Sequence, residues 1–324
     1  MPVRIRPYAP LRDANAVFTL WEETLGSTYP VSERAFRARA VDNLLMEPGD
    51  GVVAVDGRRV VGFGLAEIGR HAVGVREGAS LAALLVAPEC QRQGIGTQLL
   101  TAVEKRVREA GCRTVSPGAG LYRFWSGVPE DLGGARTFLV KHGYDFNRRV
   151  PDMTIPLGTY ALSPQYRQEL EQAGCRIVNG TPDLMGPLFT FQQREFPGWS
   201  GNMLALLNAG DAENILMVMH GDEVIGSITS FTPASRFRGA NLVWERIFGE
   251  HLGGYGAVGI ANAWRGKGLG AAMSQAAAVH AQNRGATVCY IDWVGPADFY
   301  AKLGASVWRW FDQATKALSC SVQL

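Results

Sequence analysis

Residues 258–273 read VGIANAWRGKGLGAAM. Gly266, Gly268 and Gly270 stand at alternate positions between a small, apolar, strand-like run (Tyr255–Ile260) and an alanine-rich run (Ala271–His280) that predicts a helix. Glycine destabilises a helix interior by about 1 kcal/mol relative to alanine. Three glycines at a strand-to-helix junction therefore mark a backbone that something must approach closely. A helix N-terminus presents unpaired N–H groups and the positive end of the helix dipole, and phosphate is held there readily. Arg265 and Lys267 add positive charge. The competing reading is a tight turn that binds nothing.

The pattern occurs twice. Residues 84–100 read LLVAPECQRQGIGTQLL, and Gln91-Arg92-Gln93-Gly94-Ile95-Gly96 lines up with Arg265-Gly266-Lys267-Gly268-Leu269-Gly270 at an offset of 174 residues. FLVKHGY (138–144) pairs with FYAKLGA (299–305), and VAVDGRRVVGFG (53–64) pairs with VMHGDEVIGSIT (218–229). The same order in two halves indicates two copies of one domain and weighs against an accidental turn.

Each copy opens with a short β-like run and a helical run: Val3–Arg6 with Leu11–Leu25, and Cys175–Val178 with Pro182–Glu195. Hairpins follow, turning at Asp56-Gly57 and at Gly221-Asp222, dipeptides that favour tight β-turns. After the first glycine motif, Leu99, Leu100, Val103 and Val107 share one helix face, which predicts packing on a sheet. The first copy then carries a longer connection, SPGAGLYRFWSGVPEDLGG (116–134), read as a loop whose Tyr122, Phe124 and Trp125 offer bulk that could reach the neighbouring half. The expected domains are 1–157 and 158–324, the second led by a linker helix at Pro164–Ala173.

The chain has 324 residues, enough to bury two cores, with 47% hydrophobic and 19% charged residues. A formal net charge of +2 gives no electrostatic case for nucleic acid or a membrane surface. The start MPVRIRP lacks the charged-then-apolar pattern of a leader, and no apolar run approaches the roughly 20 residues of a membrane span. Cys90, Cys112, Cys175, Cys289 and Cys320 are scattered without CxxC spacing, which supports neither a disulfide framework nor a zinc site. A cytoplasmic location without metal is the expectation.

Neither glycine motif is a Walker loop, since no Gly-Lys-Ser/Thr follows, and the glycine order does not fit a dinucleotide fingerprint. The sequence strand, Gln/Arg-x-x-Gly-x-Gly, helix, strand, then a helix with Phe-Tyr-x-x-x-Gly resembles the GNAT acyltransferases over nearly the whole chain, most strongly at 255–308. The resemblance implies an α/β (mixed α+β) fold of two tandem GNAT domains, each a central, mostly antiparallel mixed sheet flanked by helices. It implies acetyl-CoA as cofactor. Val258, Gly259 and Ile260 would hold the pantetheine, with an N–H near Ile260 polarising the thioester carbonyl. Arg265, Gly266, Lys267, Gly268, Leu269, Gly270 and Ala271 would cradle the pyrophosphate. A second CoA site is expected at Val86, Gln91, Arg92, Gln93, Gly94, Ile95, Gly96 and Thr97.

The family's last helix carries a tyrosine that protonates the departing thiolate. Tyr300 holds that place in the second copy, whereas Leu139 holds it in the first and has no proton to give. The second copy is therefore expected to be catalytic, and the first to be a structural or CoA-holding half. Asp292, at the end of the strand CYIDW, is the candidate base for the attacking amine. Its alternative is a structural strand-end carboxylate, and that of Tyr300 is a packed helical tyrosine. Asp298 and Glu245 are further carboxylates in the same half, and His280 reads as a surface or packing residue.

The segments CYIDWVGPADFYAKLGASVWRWF and RFWSGVPEDLGGARTFLVKHGY resemble tandem GNAT enzymes that acetylate glucosamine and glucosaminides. That points to a small-molecule amine acceptor, an amino sugar, with Trp199, Trp244 and Trp293 as aromatic faces for the ring. Mycothiol-synthase-like chemistry, other small-molecule or protein amines, and a non-catalytic acyl-CoA sensor stay open, as does the choice between monomer and homodimer.

Overall fold

The computed structural model describes residues 2–69 and 78–318, so Cys320 lies outside the described residues. The first repeat runs β1 (Arg4–Pro7), α1 (Pro10–Leu25), α2 (Glu33–Ala40), β2 (Gly51–Asp56), β3 (Arg59–Ile68), β4 (Gly78–Val86), α3 (Ile95–Glu109), β5 (Thr114–Pro117), β6 (Val128–Pro129), α4 (Gly133–Lys141) and β7 (Asp145–Pro156). After α5 (Pro164–Gln172), the second repeat runs β8 (Cys175–Asn179), α6 (Met185–Glu195), α7 (Ser200–Ala209), β9 (Ile215–His220), β10 (Glu223–Phe231), α8 (Glu245–Phe248), β11 (Leu252–Ile260), α9 (Leu269–Asn283), β12 (Val288–Ile291), α10 (Ala297–Ala301) and β13 (Ser306–Ala317). Pro182 opens a short 3-10 turn, Pro182–Leu184, ahead of α6 rather than the α-helix itself.

The chain divides into two compact units. One contains the described residues up to 150 together with 309–318, and the other contains 151–308. A cut at residue 157 places 151–157 and 309–318 differently, because the long last strand of each repeat is divided between the units. In the first unit the sheet order is β1-β2-β3-β4-β5-β13, and β4 and β5 are its parallel pair. In the second unit it is β8-β9-β10-β11-β12-β7, with β11 and β12 parallel and the other pairs antiparallel.

Periodicity explains the helices that cover these sheets. In α3, Leu99, Leu100, Val103 and Val107 are buried, and glycines in β3 make room for them. A Cβ on Gly62 would stand 2.8 Å from Leu99 Cδ1, and one on Gly64 would stand 3.0 Å from Val103 Cγ2. The small side chains of α9 (Ala271, Ala272, Ala277, Ala278 and Ala281) are fully or nearly fully buried and let that helix lie close on β10 and β11. The 116–134 connection serves its own unit: Phe124 and Trp125 lie 4.5 and 5.1 Å from the Trp21 ring, and Tyr122 is buried. These aromatics are core, not a surface offered elsewhere. No helix among the described residues is long and apolar enough to cross a membrane.

Candidate active site

Both glycine motifs build the same object. Arg92 and Gly94 have φ of 61° and 82°, and Gly266 and Gly268 have φ of 76° and 74°. These left-handed residues turn the chain from strand to helix, and glycine takes that conformation without the cost a side chain brings. Only Arg92, a non-glycine, bears it. Gln91 Nε2 donates to the Val86 carbonyl at 3.1 Å, and Arg265 Nε donates to the Ile260 carbonyl at 3.1 Å. The first residue of each motif thus ties the end of its strand to the loop. The N–H groups of residues 92–96 and 266–270 bond no acceptor among the described residues. Nothing lies within 4 Å of where a Cβ would stand on Gly94 or Gly266. This is a ring of free donors at a helix N-terminus, the arrangement that suits a phosphate oxygen.

The second cradle differs in one respect. A Cβ on Gly268 would overlap the carboxylate of Glu169, from α5. Glu169 Oε1 accepts from Gln165 Nε2 at 3.0 Å, while Oε2 is buried with no partner. A carboxylate thus stands beside the second cradle without bonding its N–H groups. Lys267 turns aside, with Nζ 4.5 Å from the Trp264 ring centre.

The strand before the cradle opens away from its neighbour. β11 pairs with β12 only from Leu252 to Gly254, opposite Val288 to Tyr290. Further along, one extra residue is accommodated opposite β10 between Gly256 and Gly259, where Ala257 has φ of 52°. Such a bulge bends a strand. Ala261 N–H donates to Ile225 O at 2.8 Å, which makes the opposed residues Gly226 and Ile260 a non-hydrogen-bonded pair. The Ile260 N–H therefore points away from β10, into the opening.

Tyr300 and Asp292 flank this region. Tyr300, on α10, is buried; burial, then the negative charge of Asp292, pushes its phenol up to about 12, so it stays protonated near neutrality. Leu139 occupies the matching place on α4: Tyr144 N–H bonds Leu139 O at 3.1 Å, as Ala305 N–H bonds Tyr300 O at 3.0 Å. Asp292 is half-buried just past β12, and its Oδ1 accepts from Asn241 Nδ2 at 3.1 Å. Glu245 is buried against Arg238 at 2.7 Å, and Asp298 is exposed. His280 is buried and bonded to Asn214 and Asn179, as a packing residue.

The three tryptophans do not form one surface. Trp244 is wholly buried, donates Nε1 to Tyr290 Oη at 3.2 Å and packs on Trp308; it is core, and its expected place in an acceptor site is corrected. Trp293 is half-buried with φ of 52°, and its N–H is fixed by Asp152 Oδ1 at 2.7 Å. Trp199 stacks on Phe196, centroids 4.4 Å apart and planes 4° from parallel, and both lie where a Cβ on Gly259 would stand. Phe196 escaped the sequence reading because a single Phe in FPGWSGN carries no periodic signal. Among the described residues no cluster of His, Cys, Asp and Glu could hold a metal ion, and Cys90, Cys112, Cys175 and Cys289 are free thiols.

The Acetyltransferase (GNAT) family profile matches residues 14–124 and 185–305, more than half of the chain. The chain belongs to the GNAT acetyltransferase family. Its two repeats are two GNAT domains. Among solved structures, a GCN5-related glucosamine N-acetyltransferase region of a fungal multi-domain GH3 β-N-acetylglucosaminidase aligns with TM-score 0.90 and 27% identity, covering 97% of this chain. The chain spans 38% of that protein's length. A GNAT from Sphaerobacter thermophilus (TM-score 0.69, 18% identity, 99% of this chain and 98% of that one) shares the fold. So does a tandem GNAT protein of the clavulanic acid pathway (0.63, 15%, 98% of each chain). Among proteins of curated function, none matches. GNAT acetyltransferases use acetyl-CoA, and the unbonded N–H groups of residues 266–270, at a helix N-terminus, have the chemistry that suits a pyrophosphate.

Proposed function

We propose that this GNAT transfers acetyl from acetyl-CoA to a primary amine, the 2-amino group of glucosamine or a glucosaminide, and that the second repeat carries the turnover. The observation that supports the site most is the placement of two groups at the opening between β11 and β12: the Asp292 carboxylate, 3.9 Å from where a Cβ on Gly256 would stand, and the buried Tyr300 ring, 6.2 Å from that of Tyr255. Bound acetyl-CoA supplies an acetyl thioester, whose C–S bond breaks as the C–N bond of the amide forms. Residues 266–270 hold the pyrophosphate through their N–H groups. The Ile260 N–H donates to the carbonyl oxygen as negative charge develops on it. Asp292, directly or through water, accepts the proton that the amine must lose, and Tyr300 gives its hydroxyl proton to the leaving sulfur. The balance is one amide and one thiol, with a proton released when the amine enters as ammonium.

The acceptor class rests on the likeness to the fungal glucosamine N-acetyltransferase region and on the Phe196–Trp199 stack over Gly259, a flat apolar face of the kind that suits the C–H side of a sugar ring. The first repeat keeps its cradle and lacks the acid, so it serves as a structural or CoA-holding half. The test is thiol release from acetyl-CoA across glucosamine, chitobiose-type glucosaminides, a cysteine-bearing mycothiol-precursor-type glucosaminide, polyamines and lysine peptides, with the thiol of the cysteine-bearing probe capped so that only released CoA is read. Fastest turnover with the amino sugars supports the proposal. Preference for another amine reassigns the acceptor, and CoA binding without release from any amine favours a sensor.

A further inference from the structure

We infer that Asn241 is a positioning residue for this acetyl transfer: its side-chain amide is wedged into the fork between β11 and β12 and sets where the Asp292 carboxylate points. The inference deepens the proposed function and rests on Asp292 as the base. Asn241 lies in the short turn Ala240–Leu242, outside both strands, and is 4% exposed. Its Nδ2 lies 2.9 Å from Tyr255 O, 3.1 Å from Tyr290 O and 3.1 Å from Asp292 Oδ1.

The three partners are all acceptors. Two are carbonyls at the mouth of the opening: that of Tyr290, in the last joined rung of β11–β12 opposite Gly254, and that of Tyr255, one residue past that rung on β11. The third is the candidate base. An amide turned the other way would face three acceptors with its own oxygen, so chemistry alone assigns Nδ2 to the fork. One group thereby does two things. Its two N–H bonds are shared among the three acceptors, serving the carbonyls at the opening of the strands and anchoring the carboxylate beside it.

The sequence provides the room. A Cβ on Gly254 would stand 2.4 Å from Tyr290 O and 2.8 Å from Asn241 Cβ. A Cβ on Gly256 would meet Asn241 Oδ1 at 3.4 Å and Asp292 Oδ1 at 3.9 Å. Gly254 is therefore the glycine of LGGYG that admits this side chain, while Gly256 lies in ordinary contact with it. The first repeat has no equivalent glycine run: β4 there reads GASLAALLV.

The test is a double-mutant cycle of Asn241→Ala with Asp292→Asn, measured as kcat and KM for acetyl-CoA with glucosamine, or with the fastest amine of the panel. Asn241→Ala should lower kcat about 10- to 100-fold, the scale of a misplaced catalytic group, with KM for acetyl-CoA within about threefold. In the Asp292→Asn background the same change should cost less than about threefold. Asn241→Ser, which keeps a donor in a smaller side chain, should recover part of kcat and serves the same cycle if Asn241→Ala does not fold. Equal losses in both backgrounds, or no loss in the wild-type background, would overturn the inference. If Asp292→Asn itself leaves kcat intact, the base assignment fails instead, so the two failures are distinct.

Discussion

The carboxylate of Glu169 rests against Gly268, on the face where a side chain would project from the glycine that opens α9. The matching glycine of the first repeat, Gly94, has open space there. A carboxylate beside a helix N-terminus is favoured by the same dipole that favours a phosphate, and Glu169 occupies that place without bonding an N–H. It therefore competes with the pyrophosphate for the second cradle.

From this, Glu169→Gln should tighten CoA binding by roughly three- to tenfold, the scale of ~1 kcal/mol for one charge at a helix terminus. The gain should shrink in high salt, which screens partly exposed charges. Titration calorimetry with CoA at two ionic strengths measures both. Unchanged or weaker binding would show that Glu169 is no competitor.

The two cradles should separate binding from turnover. Gly94→Val and Gly268→Val both force a β-branched side chain into left-handed backbone, with φ of 82° and 74°. Calorimetry on the unaltered protein should show one or two CoA sites. The Gly94 change should remove any first-repeat site with little loss of rate, and the Gly268 change should abolish activity. Loss of turnover from the first and not the second, in folded proteins, would reverse the assignment of the halves.

How much of this was legible beforehand can be read from particular residues. The duplication, the cradles and the contrast between Tyr300 and Leu139 were visible because glycine spacing and a hydroxyl are local properties of the chain. The sharing of the last strands between units was not, since β7 and β13 have the same pattern whichever sheet they complete. Trp244 was misread because an aromatic residue has the same letter in a core as at a site; only its bond to Tyr290 and its complete burial decide. Asn241 and Glu169 were invisible because they act across the fold, from a turn and a linker helix that carry no motif. Gly254 in LGGYG was the one available signal for Asn241.

His280 makes a stability prediction. Its Nδ1 lies 3.1 Å from Asn179 Nδ2 and 3.2 Å from an Arg284 nitrogen, both donors, so Nδ1 accepts and the ring is neutral; Nε2 donates to Asn214 Oδ1 at 3.0 Å. Burial, then the Arg284 charge, lowers its pKa from 6.5 to about 4, against a smaller opposing pull from Glu213. The folded ring thus resists a proton that the unfolded chain accepts. Its contribution to stability is complete above pH 6.5 and is lost as pH falls from there to about 4. Denaturant unfolding of wild type and His280→Gln across that window should show a smaller acid loss for the variant. Parallel losses would contradict the assignment.

Tyr300→Phe decides the central claim most directly, because it removes one hydroxyl from the half assigned to turnover and leaves the cradle intact. The measurement is kcat for thiol release with the best amine acceptor, alongside the affinity for CoA. If Tyr300 is the acid, kcat falls about 10²- to 10⁴-fold with CoA affinity within about threefold. Wild-type turnover in the folded variant would contradict that assignment and leave the leaving thiolate to be protonated elsewhere.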